Sequence, residues 1–466
     1  MANQHQRGSE LSADNIKSTL TSLFPHLRTF WQRPLGDYAR AVYDVDPIRL
    51  QAIDRNDALL RLCTLLTRVA IRTGVTDDDA NDAGSQFMGA PIIQTGPHCH
   101  LIMEPDAFYT HLFSLLGIRS QRLRWHFWYG ASTVKFIEKP GKGPGWLTLE
   151  GELINVFGLP RSRMDSFNVC GERGPYRFTL RPHGDDKRVN LMAERLKLIL
   201  PELQYRSAAD AIKAGNDSLW KTFFPPDIRL VQLDDIDVAE LVADHFEDPD
   251  SWLCRRFIEG GIACEMLQIA AELNQGPWAG WIRCTTDLFW RLENGRLYPL
   301  RLNDGVLVTE GKSSAELRFT PAALSESLRL RQIVPSLLLS FIVMSILPGT
   351  RVLGGCRQTV YYPLMRYVFA CALERAGERE LLASLRKDVL PGMWGHRVLR
   401  PADGRPFAAL NEVGSAAALL SEFGERSLER ACGDLTCFTS DPIWGQIGRH
   451  VALGDTLLDS VEWQWA

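Results

Sequence analysis

The stretch Pro91-Ile92-Ile93-Gln94-Thr95-Gly96-Pro97-His98-Cys99-His100 is followed by Glu104-Pro105-Asp106 and then by Phe108, Leu112, Phe113 and Leu116. A short apolar run ended by Thr-Gly-Pro reads as a strand running into a turn. An early proline and two acids suit a helix N-terminus, where they complement its dipole. Gly117 suits the helix end, and Trp125 to Tyr129 reads as the next strand. Strand, turn, helix, strand is the order of a parallel α/β sheet.

The same order returns far downstream. Thr350 to Leu353 reads as a strand, Gly354-Gly355 as a turn and Thr359 to Arg375 as a helix with Tyr361, Leu364, Met365, Val368 and Leu373 on its buried side. Residues 85–139 and 336–466 are therefore expected to form two parts of one core. Residues 1–84 read as a helical N-terminal region, with Ser12 capping a helix and a loop from Thr76 to Ala90. Residues 140–335 read as inserted α+β material: an irregular Gly/Pro/Arg-rich piece from Gly141 to Gly184, a helix over Asn190 to Leu200, a strand over Arg229 to Leu233 and helices over 236–275. They end in a β-hairpin at 286–301 turned by Asn294-Gly295, a strong hairpin signal.

Composition narrows the function classes. The chain has 466 residues, 45% hydrophobic and 23% charged, with a net charge of −4. That is globular usage with no whole-chain field to draw nucleic acid or an anionic membrane. The ten cysteines are scattered without a CxxC pair, and the N-terminus lacks an apolar signal region. A cytoplasmic, thiol-reducing location is expected. The longest apolar stretch, Ile333 to Leu347, is broken by Pro335 and serines and falls short of the roughly 20 residues of a membrane span, so a buried element is expected.

Both turns lie where open α/β sheets bind ligands, beyond the carboxyl ends of strands. Thr95 and Gly96 would offer polar and backbone groups to a substrate or phosphate, and His98 and His100 could move protons. Gly354 and Gly355 would let the backbone approach a ligand. Arg357 would hold a carboxylate or phosphate, Gln358 would orient an amide or amine, and Tyr361 would line the same site. Neither turn is a standard dinucleotide or P-loop fingerprint. A competing reading makes His98-x-His100 metal ligands of a hydrolase, completed by Glu104, His111 or His183, although no second ligand pair stands out. Cys99 or Cys356 could be an activated thiolate at a helix start. Asp185-Asp186-Lys187-Arg188 and Asp234-Asp235-Ile236-Asp237 read as solvated or helix-start charge, and Trp125, Phe127, Trp128 and Tyr129 as core.

The two turns, in this order and separation, resemble the bacillithiol synthase family of cysteine-adding enzymes. Gln94-Thr95-Gly96-Pro97-His98 with Phe108-Tyr109-Thr110 is similar to the family's early turn and helix. Leu347-Pro348, Gly354-Gly355 and Tyr361-Tyr362-Pro363 have the layout of its second block, with Phe319-Thr320-Pro321 before it. The resemblance implies a Rossmann-like core with connecting subdomains. It also implies a biosynthetic enzyme, of the kind found in specialised metabolism, that forms a C–N bond between an amino acid such as cysteine and an amine, with ATP or another nucleotide as the implied cofactor. The expected partner is a small-molecule substrate, and a homo-oligomer is left open. This chain departs from the family in carrying Trp128-Tyr129-Gly130-Ala131-Ser132 where the family has acids, and Arg357-Gln358 where an acid follows the glycines. A non-catalytic, ligand-binding relative is the other reading consistent with those departures.

Overall fold

The computed structural model describes residues 12–45, 52–96, 98–133, 143, 145–160, 169–183, 190–282, 284–310, 316–388, 392–393, 401, 404–433, 435–439, 441–452 and 460–465. Pro97 and the charged run at 185–188 lie outside them.

The chain is mixed α/β, built around a parallel sheet of strands Ile92–Gln94, Trp125–Tyr129, Arg229–Leu233, Arg351–Leu353 and Gly392–Met393. Counted along the chain as first to fifth, they run across the sheet in the order 5-4-1-2-3. The first strand sits between the second and the fourth, pairing Gln94 with both Trp128 and Leu353. Successive connections therefore leave the first strand in opposite directions. The gap between the first and fourth strands is a topological switch point, the position at which open α/β sheets bind ligands. The third strand comes from 229–233, inside the segment expected as an insertion. Its full-length pairing with Trp125–Tyr129 makes it core.

Besides its helices, 140–335 carries two antiparallel sheets. Trp146–Leu149, Glu152–Asn155 and Arg181–Pro182 make a small sheet where irregular chain was expected. Leu317–Arg318, Val306–Thr309, Arg296–Asn303, Phe289–Glu293 and Ile333–Pro335 make a five-stranded sheet. The hairpin turn is Asn294-Gly295, both at positive φ, as a two-residue turn matching strand twist requires.

Two local readings are corrected. Thr76 to Ala90 is not a loop but the helix Asp77–Gly89. Thr76 caps it, Asp77, Asp78 and Asp79 fill its first turn, and Ala80, Ala83, Gly84 and Phe87 form its buried stripe. The acids that suggested a loop complement a helix N-terminus. Gly117 does not end its helix, which runs from Pro105 to Ser120. A Cβ at Gly117 would lie 2.0 Å from the Tyr43 ring, so glycine there permits a close helix crossing. Ile333 to Leu347 is buried, as a strand followed by the helical turns Leu337–Phe341 and Ile342–Ile346. Among the described residues no helix is long and apolar enough to cross a membrane.

Candidate functional site

The parallel register carries the two glycine turns to the switch point and presses them together. Thr95 donates its backbone N–H to the Leu353 carbonyl at 2.7 Å. A Cβ at Gly96 would lie 2.9 Å from the Gly355 nitrogen, so only glycine lets the backbones meet this way. Gln358, at the start of the helix Gln358–Arg375, folds back over Gly354. A Cβ at Gly354 would lie 1.8 Å from Gln358 Oε1. Thr95 Oγ1 donates to that oxygen at 2.8 Å and Tyr361 Oη donates to it at 3.2 Å. Thr95, Gly96, Gly354, Gly355, Gln358 and Tyr361 thus form one cluster drawn from both parts of the chain.

The cluster alters what Gln358 can do. Two hydroxyl neighbours orient its amide and occupy its oxygen, while its buried Nε2 has no hydrogen-bond partner among the described residues. Gln358 is therefore set up as a donor, suited to a carbonyl or carboxylate oxygen. Arg357 is turned away from the expected role. Its guanidinium grips Asp441 through two bonds of 2.5 and 2.9 Å, which ties the C-terminal helices to the start of Gln358–Arg375 and neutralises its charge internally.

The first turn continues to a partly buried His98 and a buried His100. Asn216, on the helix Ala208–Phe223, clamps the turn. It donates to the His100 carbonyl and accepts from the Ile102 N–H, each at 2.9 Å. The residues proposed to complete a metal set are occupied elsewhere. Glu104 accepts from the Thr148 N–H, His111 contacts Gln94 and His126, and the His183 ring meets Trp146 edge-on. Among the described residues no three His, Cys, Asp or Glu side chains converge as metal ligands. The Cys99 thiol is pushed well above its usual range by burial and by Asp234 and Asp235, so it is protonated at neutral pH and does not supply the thiolate considered above.

Beneath the first turn lies a buried polar chain. Gln94 Nε2 donates to the Gly96 carbonyl at 2.7 Å, Ser114 donates to Gln94 Oε1, and His111 Nδ1 lies 3.0 Å from His126 Nε2. Burial lowers His126 to about 3, with its ring stacked on Trp220. Burial, aided by Arg61, lowers His245 to about 4. Both rings are neutral in the folded chain but protonate near 6.5 when unfolded. Their stabilisation is full above that value and is lost as pH falls toward 4 and 3. Asp237 opposes them. Burial raises it to about 6, so its contribution is full below about 4 and is lost as pH rises through 6. At pH 5 each histidine costs about 2 kcal/mol, and Asp237 offsets part of this. Urea unfolding should therefore show a lower midpoint at pH 5 than at pH 7.5, and His126→Gln should shrink the difference. A midpoint that rises on acidification would contradict the assignment.

The acids beyond the third strand start a helix, as expected, but they are not solvated. Asp234, Asp235 and Asp237 are buried. Asp234 caps the helix Asp235–Glu247 in a reciprocal box with Asp237. Lys213 bridges Asp234 at 3.3 Å and Asp237 at 2.6 Å. Asp235 accepts from Tyr129 Oη, from the Ser132 N–H and hydroxyl, and from Thr133. Asp235 thus ties the Tyr129–Ser132 loop to the start of the helix that follows the neighbouring strand. The available signal was their position directly after the strand Arg229–Leu233, at the carboxyl edge where open α/β sheets bind ligands.

Comparison with protein-family models and with curated proteins finds no match to this chain.

Proposed function

We propose that the chain is a small-molecule enzyme with a Rossmann-like core that joins an amino acid such as cysteine to an amine. Its substrate carboxyl group would sit at the junction of the two glycine turns. The observation that carries this reading is the meeting of Gly96 with Gly354-Gly355 at the switch point, with the unpartnered amide nitrogen of Gln358 beside it. Backbone amides and Gln358 would receive the carboxyl oxygens, where developing negative charge gains most from fixed donors. His98, the more accessible of the two histidines, would take the proton that the attacking amine loses. Forming the C–N bond expels one carboxyl oxygen. A nucleotide such as ATP would carry that oxygen away as phosphate. The reaction class rests on the resemblance of the two sequence blocks. The site rests on the geometry.

The test is nucleotide consumption and product formation with a panel of amino acids and amines. Consumption should require both co-substrates. Gly354→Ala displaces Gln358 and should lower turnover about a hundredfold, the scale of an ångström-size misplacement, in protein whose circular dichroism is unchanged. No product and no nucleotide consumption with any pair would leave a binding role. A stoichiometric metal ion lost on His98→Ala with His100→Ala would instead support the hydrolase reading.

A further inference from the structure

The helix Ile53–Arg72 turns an uncharged face outward. Ile53, Asn56, Leu60, Thr64, Thr67 and Ile71 recur at intervals of three and four, so they share one side of a helix with about 3.6 residues per turn. Thr67 is half-buried and the other five are exposed. Leu60 is 57% exposed and Ile71 43%. The Thr64 hydroxyl donates to the Leu60 carbonyl at 2.9 Å, so its proton is satisfied inside the helix.

The charged side chains of this helix lie elsewhere, each held within the chain. Arg55 is buried against Asp388. Asp54 pairs with Arg255 and Asp57 with Arg61. Arg61 also meets Asp248, Arg68 meets Asp244 and Arg72 meets Glu240. A surface helix ordinarily sets its charges on the side away from the core, and here the most exposed row carries none.

The next helix, Asp77–Gly89, widens the face. It crosses the first at Gly84, where a Cβ would lie 2.5 Å from Thr67 Oγ1. Asn81 and Met88 stand three residues before and four after Gly84, on the same side of that helix. Both are exposed and uncharged. A helix about 30 Å long beside a neighbour about 8–10 Å away offers a face about 20 Å wide and about 600 Å² in area. Two such faces would bury about 1,200 Å², the lower end of stable protein interfaces.

We propose that this face is the contact of a homodimer, with Leu60, Ile71 and Met88 of one protomer packed on the same face of its partner. A two-fold axis sets a surface against its own copy, so a charge near the axis would meet its like. A row free of charge avoids that repulsion. Its borders carry charges of both signs, already paired, and an apolar centre inside a charged rim is the usual anatomy of such a contact. The proposal is independent of the amide-forming reading, because none of these residues belongs to the junction of the glycine turns.

Sedimentation velocity of the full chain across the micromolar range tests it. The chain should be a dimer that dissociates on dilution. Leu60→Lys adds one charge from each protomer to the contact and should raise the dissociation constant about thirtyfold or more, the scale of an interface hot spot. Ile71→Lys should act in the same direction. Both positions are exposed, so circular dichroism should be unchanged. Leu198→Lys, at an exposed leucine outside these two helices, should leave the dissociation constant as it was. A monomer at every concentration overturns the proposal and leaves the face to a different partner. A dimer that tolerates both Leu60→Lys and Ile71→Lys, or that Leu198→Lys weakens equally, also overturns it.

Discussion

Replacing Asp235 by alanine should lower the unfolding free energy by about 3–5 kcal/mol, because each buried donor left without an acceptor costs about 1–3 kcal/mol. Asp235 is wholly buried and receives the Tyr129 hydroxyl at 2.6 Å, the Ser132 hydroxyl at 2.6 Å and the Ser132 N–H. Truncation strands all three. Burial raises the Asp235 carboxyl above its usual range, and the bonds from Ser132 and Tyr129 pull against that rise. Desolvation has therefore already cost the carboxylate much of its advantage, and its worth lies in the donors it satisfies. Asp235→Asn should cost less than alanine, since its remaining oxygen still accepts. Its new NH₂ faces donors, so the loss should not vanish. Urea unfolding of the three proteins orders them, and alanine no worse than asparagine would disprove the account. The same variants should disturb the carboxyl edge of the sheet, because Asp235 ties the Tyr129–Ser132 loop to the helix after the third strand.

The second large effect lies at the opposite edge of the sheet. Asp388 is buried and pairs with the fully buried Arg55 at 3.1 Å. Arg351 and Arg366 are also buried, within electrostatic reach of the same carboxylate, and burial lowers both guanidinium groups. Three cations therefore share Asp388. Arg55 further donates to the Leu347 and Ser384 carbonyls, and Arg366 to the Leu385 and Asp388 carbonyls. Removing the carboxylate leaves the cations uncompensated, so Asp388→Asn should cost about 3–5 kcal/mol, as for other broken buried pairs. Arg55→Met should cost less. It removes one cation from an excess and leaves Asp388 with two others, although it strands the carbonyls that Arg55 served. Equal losses in chemical denaturation would show that hydrogen bonds, not charge balance, dominate the cluster. The ordering separates the two causes because the asparagine retains an acceptor for Arg55 while losing the charge.

Much of the core was legible along the chain because its signals are local. Trp125 to Tyr129 and Arg229 to Leu233 are continuous runs flanked by polar turns, and both are strands over those spans. Asn294-Gly295 names its own turn, because positive φ at both positions is cheap for few residue pairs. The glycine turns were legible for the same reason. A break between an apolar run and a helical pattern is visible without knowing what lies across from it.

Partnership was not legible. The sequence alone assigned Arg357 to a ligand, since a guanidinium beside two glycines looks available. Only folding brings Asp441 to it. The sequence alone suggested that Gln358 would orient an amine, and tertiary structure instead spends its oxygen on Thr95 and Tyr361 and leaves its nitrogen as the donor. The run Asp234-Asp235-Ile236-Asp237 was legible as a helix start, but its burial was not, because its partners Lys213, Tyr129 and Ser132 are distant in sequence. Local chain chemistry thus determined where strands stop and helices start, through hydrophobic period, capping and backbone freedom. The strand order, which places the first strand between the second and fourth, depends on long-range pairing. That order decided which two turns meet and which charges are buried together.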